Sequence, residues 1–380
     1  MVQVSAVNLL NPPQLIQQGI LNGEGLDIDL SSIREHVHFR AATIYVAQSS
    51  TGKYGDVAIK SVFAPDVREP HDIRKEIKTL SRLNHASICP LLNAYFIDSH
   101  YVLALPFYPH TLLDLLDDPT FIPANNEALF TKVAKCLIKQ MCSAVAYLER
   151  QQIAHRDIAP SNFLLSKNGQ IALTDFGVAY DAAEPGSEGG SSKLQFELGT
   201  GPYRAPELLF GSRSYNPFAL DRWSLGVTIA NFFTEIGPRR PPTPDSDEPR
   251  APFSFMNVAV STAGPIERST LFEGGYSDFA LIGSIFRTLG TPSLETWPEA
   301  KDLPDFGKFQ YSSFPAQSLS TILPNFPPQD DGAADLIGSM LRYSYEERLS
   351  AAGALQHPWL SDAVDEIDKL DLGDVLWFHQ

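Results

Sequence analysis

His155-Arg156-Asp157-Ile158-Ala159-Pro160-Ser161-Asn162, followed by Asp175-Phe176-Gly177, sets two carboxylates and an amide in the order a phosphoryl-transfer site needs. Such a reaction asks for little covalent chemistry, so the residues that matter position the attacking hydroxyl and hold metal-bound phosphates. Asp157 can accept the proton of a substrate hydroxyl, while Asn162 and Asp175 offer the hard oxygen ligands that Mg²⁺ prefers. Upstream, Val57-Ala58-Ile59-Lys60 reads as a strand delivering an ammonium to nucleotide phosphates, with Glu76 on the next helical pattern as its ion partner. Each string arises by chance in many chains, and the plain alternative is a strand end or a solvated charge. Their order decides: lysine strand, acidic helix, base-bearing loop, metal carboxylate, then Ala205-Pro206-Glu207, at separations that one bilobal domain accommodates.

The 380 residues, 43% of them hydrophobic, suffice for a sizeable core in two domains or one two-lobed unit. A formal charge of −16 argues against nucleic acid and against an anionic membrane surface, since both call for clustered Lys and Arg. Cys89, Cys136 and Cys142 are widely spaced and form no C-x-x-C pair, so they read as buried thiols in a reducing compartment. No apolar run approaches the roughly 18 residues of a membrane span, and no secretory signal pattern opens the chain. Cytoplasm and nucleus are the expected locations, with no basic cluster to choose between them.

Residues 1–30 read as an N-terminal extension. The alternating, β-branched text of 37–63, with Thr51-Gly52-Lys53-Tyr54-Gly55-Asp56 as a turn, predicts antiparallel strands. Ile73, Ile77, Leu80 and Leu83 have helical spacing over 71–83 and put Glu76 one turn from Leu80. Residues 101–107 read as a strand entering a connector, and 128–148 as an amphipathic helix burying Leu129, Val133, Leu137, Met141, Ala144 and Leu148. Short strands are expected around 171–174, a mobile Gly/Ser-rich stretch at 184–192, Pro-rich loops at 238–252 and 324–328, and an acidic tail from Ser361.

From His36 to about Leu360 the chain resembles the eukaryotic protein kinase family. Tyr203-Arg204-Ala205-Pro206-Glu207-Leu208-Leu209-Phe210-Gly211, Asp221-Arg222-Trp223-Ser224-Leu225-Gly226, Phe286-Arg287-Thr288-Leu289-Gly290-Thr291-Pro292, and Arg348-Leu349-Ser350-Ala351 through His357-Pro358-Trp359 narrow the likeness to cyclin-dependent kinases of the CMGC group. The resemblance implies an α+β bilobal fold: a mainly β small lobe over 31–105, a mainly α large lobe over 106–360 with its activation segment at 175–207, and an acidic C-terminal tail over 361–380. It implies ATP and Mg²⁺ as cofactors. Val37, Ile44, Ala58, Lys60, Pro106, Phe107, Tyr108 and Leu164 would contact the nucleotide, Asp157, Lys60 and Glu76 would be catalytic, and Asn162 and Asp175 would bind the metal. It further implies that Asp221 bonds the catalytic loop, that Glu207 pairs with Arg348, and that Leu80, Leu91, His155 and Phe176 pack in a column, which makes His155 structural.

Departures from the family pattern carry expectations of their own. No glycine occurs across Val37-His38-Phe39-Arg40-Ala41-Ala42-Thr43-Ile44, where the glycine-rich loop should fall, so close backbone approach to phosphates is compromised. Ala159 replaces a lysine that steadies the transferring group, a loss of roughly 3 kcal/mol, or about a hundredfold in rate, by analogy with oxyanion donors. Ser161 and Thr200 favour serine/threonine over tyrosine transfer. Gln195 stands where the activating threonine is expected, so the counter-charge of Arg156 falls to Glu197 or to a phosphate on Ser191 or Ser192, unless Arg156 forms a solvated surface pair. Gly199 replaces a branched residue that shapes a proline-accepting pocket, which predicts weaker dependence on a following proline. Pro70-His71-Asp72-Ile73-Arg74-Lys75 is not a cyclin-contacting sequence, so a monomer without an obligatory cyclin is expected.

Together these departures resemble the single-subunit fungal kinase that activates cyclin-dependent kinases, which makes another kinase a candidate protein substrate. Two alternatives stay open at this level: a pseudokinase scaffold regulating a partner kinase without chemistry, and a conventional cyclin-bound kinase.

Overall fold

The computed structural model describes residues 29–38, 42–49, 52, 55–97, 99–184, 193–238, 266–273, 277–327 and 331–364. The expected extension before residue 29, residues 39–41 of the stretch where the glycine-rich loop is expected, the Gly/Ser-rich stretch with Ser191 and Ser192, nearly all of the Pro-rich 238–252 and the tail beyond 364 lie outside the described residues.

Five strands, β1 (Arg34–His38), β2 (Thr43–Gln48), β3 (Asp56–Phe63), β4 (Asn93–Ile97) and β5 (His100–Pro106), form an antiparallel sheet in the order β1-β2-β3-β5-β4. Gly52 and Gly55 take positive φ in the reversal between β2 and β3, a conformation that costs glycine little. Side chains alternate between faces. Val57 and Ile59 join Ala47, Tyr95, Val102 and Ala104 in an outer cluster, which leaves Ala58, Lys60 and Val62 facing the other way, toward the second lobe. Between β3 and β4 lies α1 (Ile73–Leu80), capped by the Asp72 carboxylate accepting from the Arg74 N–H at 2.9 Å. Ile73, Ile77 and Leu80 bury its apolar stripe, with Glu76 buried beside them. β5 ends at Pro106, one residue past the expected lobe boundary.

The rest is mainly helical. α2 (Leu112–Leu116), α3 (Glu127–Arg150), α4 (Pro206–Leu209), α5 (Pro217–Ala230), α6 (Asp278–Leu289), α7 (Leu319–Ile322), α8 (Asp331–Met340) and α9 (Ala351–Leu355) surround short strands. These are β6 (His110–Thr111), β7 (Ile153–Ala154), β8 (Phe163–Leu165), β9 (Ile171–Leu173), β10 (Tyr180–Asp181), β11 (Ile236–Pro238) and β12 (Ile266–Arg268). The predicted stripe of α3 is too narrow. Leu129 is only half-buried, whereas Phe130, Ala134, Cys136, Ile138, Cys142 and Val145 are buried as well, because α5, α9, β7 and β9 pack around this central helix. Cys89, Cys136 and Cys142 are buried, and burial pushes the Cys89 and Cys142 thiols up to about 12. No helix among the described residues is long and apolar enough to cross a membrane.

Two buried arginines brace this lobe. Arg348 meets Glu207 through two parallel bonds of 2.7 and 2.8 Å and also donates to the Ala219 carbonyl at 2.9 Å. Arg268 instead donates to the carbonyls of Leu116, Phe121, Phe232 and Thr234 at 2.6, 2.6, 3.1 and 2.9 Å.

Candidate active site

The catalytic-loop sequence joins β7 to β8, and Asp175 follows β9. β8 pairs with β9 and β7 with β10, so both loops leave neighbouring strand ends, and the Thr174 N–H donates to the Asn162 carbonyl at 2.9 Å between them. The Asp221 carboxylate on α5 accepts the backbone N–H groups of His155 and Arg156 at 2.6 and 2.7 Å. That bond pair holds Arg156 at φ +67, and Asp175 sits at φ +64. A left-handed non-glycine residue costs of order 1–3 kcal/mol and persists only where its surroundings over-determine it. Here both strained residues border the same cleft.

Lys60 crosses from β3 to meet the other lobe. Its Nζ lies 2.7 Å from Glu76 Oε2 and 3.4 Å from Asp175 Oδ1, with all three side chains buried. Burial disfavours the charged ammonium, but Asp175 and Glu76 outweigh it and hold the Lys60 pKa above the ordinary value. Burial likewise opposes ionisation of Asp175, yet Lys60, with His71 and His155, holds that carboxyl below the usual range. For Glu76 burial prevails, and its pKa is raised.

Asp157 is 6% exposed. Its Oδ1 accepts from Thr200 Oγ1 at 2.6 Å and its Oδ2 from Asn162 Nδ2 at 3.0 Å. Burial pushes the Asp157 carboxyl up, against the pull of the Thr200 bond. Because Asn162 Nδ2 also donates to the Asp157 carbonyl at 2.8 Å, the amide oxygen must face away. Among the described residues, Asn162 Oδ1 and Asp175 Oδ2 are both buried without a hydrogen-bond partner. Orphaned buried oxygens are costly in a folded protein, and two hard oxygen donors beside a lysine suit a phosphate-bound Mg²⁺.

His155 has both ring nitrogens engaged. Nε2 lies 2.9 Å from the Thr174 carbonyl, Nδ1 accepts from the Asp157 N–H at 3.3 Å, and the ring packs edge-on against Phe176 at 4.7 Å. Burial holds its pKa below the ordinary histidine value, so it braces the loop as a neutral ring. Ala159 is fully buried.

The roof of the cleft comes from β1, β2 and β3. Val37 pairs with Ile44, Ile44 with Lys60 and Val46 with Ala58, and directly paired residues share a face. Val46, 2% exposed, was not among the expected nucleotide contacts. Its signal was the pairing register, which the sequence does not display. At the connector the Phe107 N–H donates to the Asp56 carbonyl at 2.9 Å. By strand alternation the Pro106 carbonyl and Tyr108 N–H then point to the opposite side, so proline at 106 sacrifices no sheet bond. Leu164 is buried on β8, while Phe107 packs edge-on against His36 at 5.4 Å.

The activation segment lies against α1. The Asp72 N–H donates to the Gly177 carbonyl at 2.9 Å, Lys78 pairs with Glu184 at 2.5 Å, and Arg82 pairs with Asp181. Gln195 Nε2 donates to Glu69 at 2.7 Å, and the Gln195 carbonyl accepts from the Tyr215 hydroxyl. Arg156 is buried, not the solvated surface residue of one expectation: its guanidinium donates to the Val178 carbonyl at 2.8 Å and to the Tyr215 hydroxyl at 3.2 Å. Its position under the segment excludes the surface pair, and Glu197 is exposed. Gly199 takes φ +83, and a Cβ there would stand 3.2 Å from Arg204 Cγ.

Residues 41–360 match the family model described as protein kinase domain. The chain belongs to the protein kinase family. It is 32% identical to the serine/threonine-protein kinase csk1 of Schizosaccharomyces pombe, over 73% of this chain and 77% of that protein. It is 29% identical to cyclin-dependent kinase 7 of Dictyostelium discoideum, over 78% of this chain and 69% of the relative. A solved structure of the CAK complex from Chaetomium thermophilum bound to ATP-gamma-S has the same fold, with a TM-score of 0.67, 24% identity, and coverage of 89% of this chain and 93% of that one. The chain is a serine/threonine protein kinase of the cyclin-dependent-kinase-like kind, in the bilobal α+β fold that its motifs imply, and ATP is its phosphoryl donor.

Proposed function

We propose that Lys60, held by Glu76, orients the ATP phosphates, that Asp157 accepts the proton of a substrate Ser or Thr hydroxyl, and that Asn162 Oδ1 and Asp175 Oδ2 bind Mg²⁺. The observation that carries this is the pair of partnerless buried oxygens beside the Lys60–Glu76–Asp175 cluster. A scaffold without chemistry has no use for two orphaned oxygens, each of which costs about 1–3 kcal/mol when left unsatisfied. Bound Mg²⁺ would neutralise charge developing on the phosphates during transfer. Thr200, bonded to Asp157, keeps that carboxylate aimed and limits the rise in pKa that burial imposes.

The substrate we favour is the activation-segment threonine of a cyclin-dependent kinase, and we favour action without an obligatory cyclin. Four observations support this reading: the absence of glycine from the sequence of 37–44, Gln195 at the position expected for the activating threonine, the lack of a cyclin-contacting sequence over 70–75, and the contacts by which the segment itself holds α1.

The test incubates purified protein with ATP-Mg²⁺ and an unphosphorylated cyclin-dependent kinase, with Asp175→Ala alongside, and maps incorporated phosphate by mass spectrometry. Phosphate on the activation-segment threonine from wild type but not from the variant is the expected result. Phosphate elsewhere, or none without added cyclin, would remove the corresponding part of the proposal. On a peptide array, Gly199 predicts transfer to Ser and Thr with little preference for a following proline, and a strong preference would overturn that expectation.

A further inference from the structure

Ala159 has no side chain long enough to touch a phosphoryl group, and it is fully buried. Lys60 is already committed to Glu76 and Asp175 at 2.7 and 3.4 Å. Lys60 orients the phosphates from that side, so a donor standing in for residue 159 must come from another element, and the entrance of α1 offers a candidate.

His71 immediately precedes the Asp72 cap. The Asp72 N–H bond to the Gly177 carbonyl, 2.9 Å, pins this point of the chain against the residue two places after Asp175. A Cβ on Gly177 would stand 3.6 Å from His71 Nδ1 and 3.5 Å from Asp175 Oδ1. The imidazole and the metal-side carboxylate thus flank one face of Gly177, where glycine leaves them room. His71 is exposed, so its ring is not enclosed in the core. The imidazole is also among the groups near enough to Asp157 and Asp175 to act on both carboxyls, behind burial and nearer partners.

We infer that His71 donates a hydrogen bond to a γ-phosphoryl oxygen of ATP during transfer, the contact that residue 159 cannot make. This rests on the site reading proposed above. In that step the substrate hydroxyl oxygen bonds to the γ-phosphorus as the bond to the β,γ-bridging oxygen breaks. The electron pair leaves with ADP, and the hydroxyl proton passes to Asp157. His71 gains and loses no proton. An imidazole N–H can donate whether the ring is neutral or charged, so a preorganised donor of this kind acts without titrating.

The test compares wild type with His71→Gln, which keeps an N–H donor, and His71→Leu, which fills similar space without one. It measures kcat at saturating ATP and the dissociation constant of a fluorescent N-methylanthraniloyl ATP. His71→Leu should lose at least about tenfold in kcat with nucleotide affinity held within about threefold, and His71→Gln should recover most of the loss. A kcat for His71→Leu within about threefold of wild type, or His71→Gln as slow as His71→Leu, overturns the inference. A parallel fall in nucleotide affinity assigns His71 to packing and overturns it too. Wild-type protein that transfers no phosphate to any protein, itself included, would instead sink the underlying site reading.

Discussion

The cleft and the activation segment meet at Arg156 and Asp157, yet they are held by different physics. In the cleft, Lys60, Glu76, Asp175 and Asp157 are all buried, Lys60 bonding Glu76 and Asp175 while the Asp157 carboxylate accepts from the side chains of Asn162 and Thr200. In the segment the links are a neutral amide on Glu69, a hydroxyl on a carbonyl, and ion pairs such as Lys78–Glu184 whose side chains are 54% and 42% exposed. Buried charges gain much from a partner and lose much without one, whereas exposed pairs contribute about 0–1 kcal/mol. The protein therefore concentrates its electrostatic risk where chemistry occurs and secures the platform beside it with many small contacts.

The largest test of that contrast is Lys60→Ala. It strands Glu76 and Asp175 as buried carboxylates without their cation, which should cost about 3–5 kcal/mol of stability and abolish measurable transfer. Thermal unfolding and a phosphorylation assay would report both, and a stability change under about 1 kcal/mol would contradict the picture of a tightly coupled cleft.

Thr200→Val probes the junction through pH. The Thr200 hydroxyl lowers a carboxyl pKa that burial raises, so removing it should lift the Asp157 pKa further. Protonated Asp157 cannot accept the substrate proton, so activity fails on the acid side. The acid limb of kcat should move to higher pH in the variant, and an unmoved or downward-shifted limb would separate Asp157 from the limb.

Gln195→Ala should have the smallest effect. It deletes one half-exposed amide link, worth about 0.5–1.5 kcal/mol, so activity should fall by no more than about tenfold. Complete inactivity would mean that the segment depends on this single tether, and the distinction between the two regions would fail.

The sequence was readable where function depends on residue type at short spacing. Asp157, Asn162 and Asp175 lie on one chain segment whose order already implies convergence, and Glu76 was legible because α1 carries a clear apolar period. Val46 escaped because its place opposite Ala58 comes from a cross-strand register, and such a register depends on a turn geometry that the text does not specify. Arg156 was misjudged as a solvent-facing alternative because charge suggests exposure, whereas the fold provides carbonyl and hydroxyl acceptors that permit its burial. Arg268 raised no expectation at all, since four carbonyls from separate elements satisfy it and none of them belongs to a motif.

By itself, then, the order of amino acids determined the class of chemistry, the bilobal plan and the identities of the groups that converge, because those follow from local periodicity and from functional groups that few other residues can replace. Tertiary structure alone decided which oxygens remain unpaired among the described residues, which residues of β2 share a face with Ala58 and Lys60, and that His71 stands beside Gly177 and Asp175. These are properties of distance and desolvation between segments far apart in the chain, and they exist only once the lobes have packed.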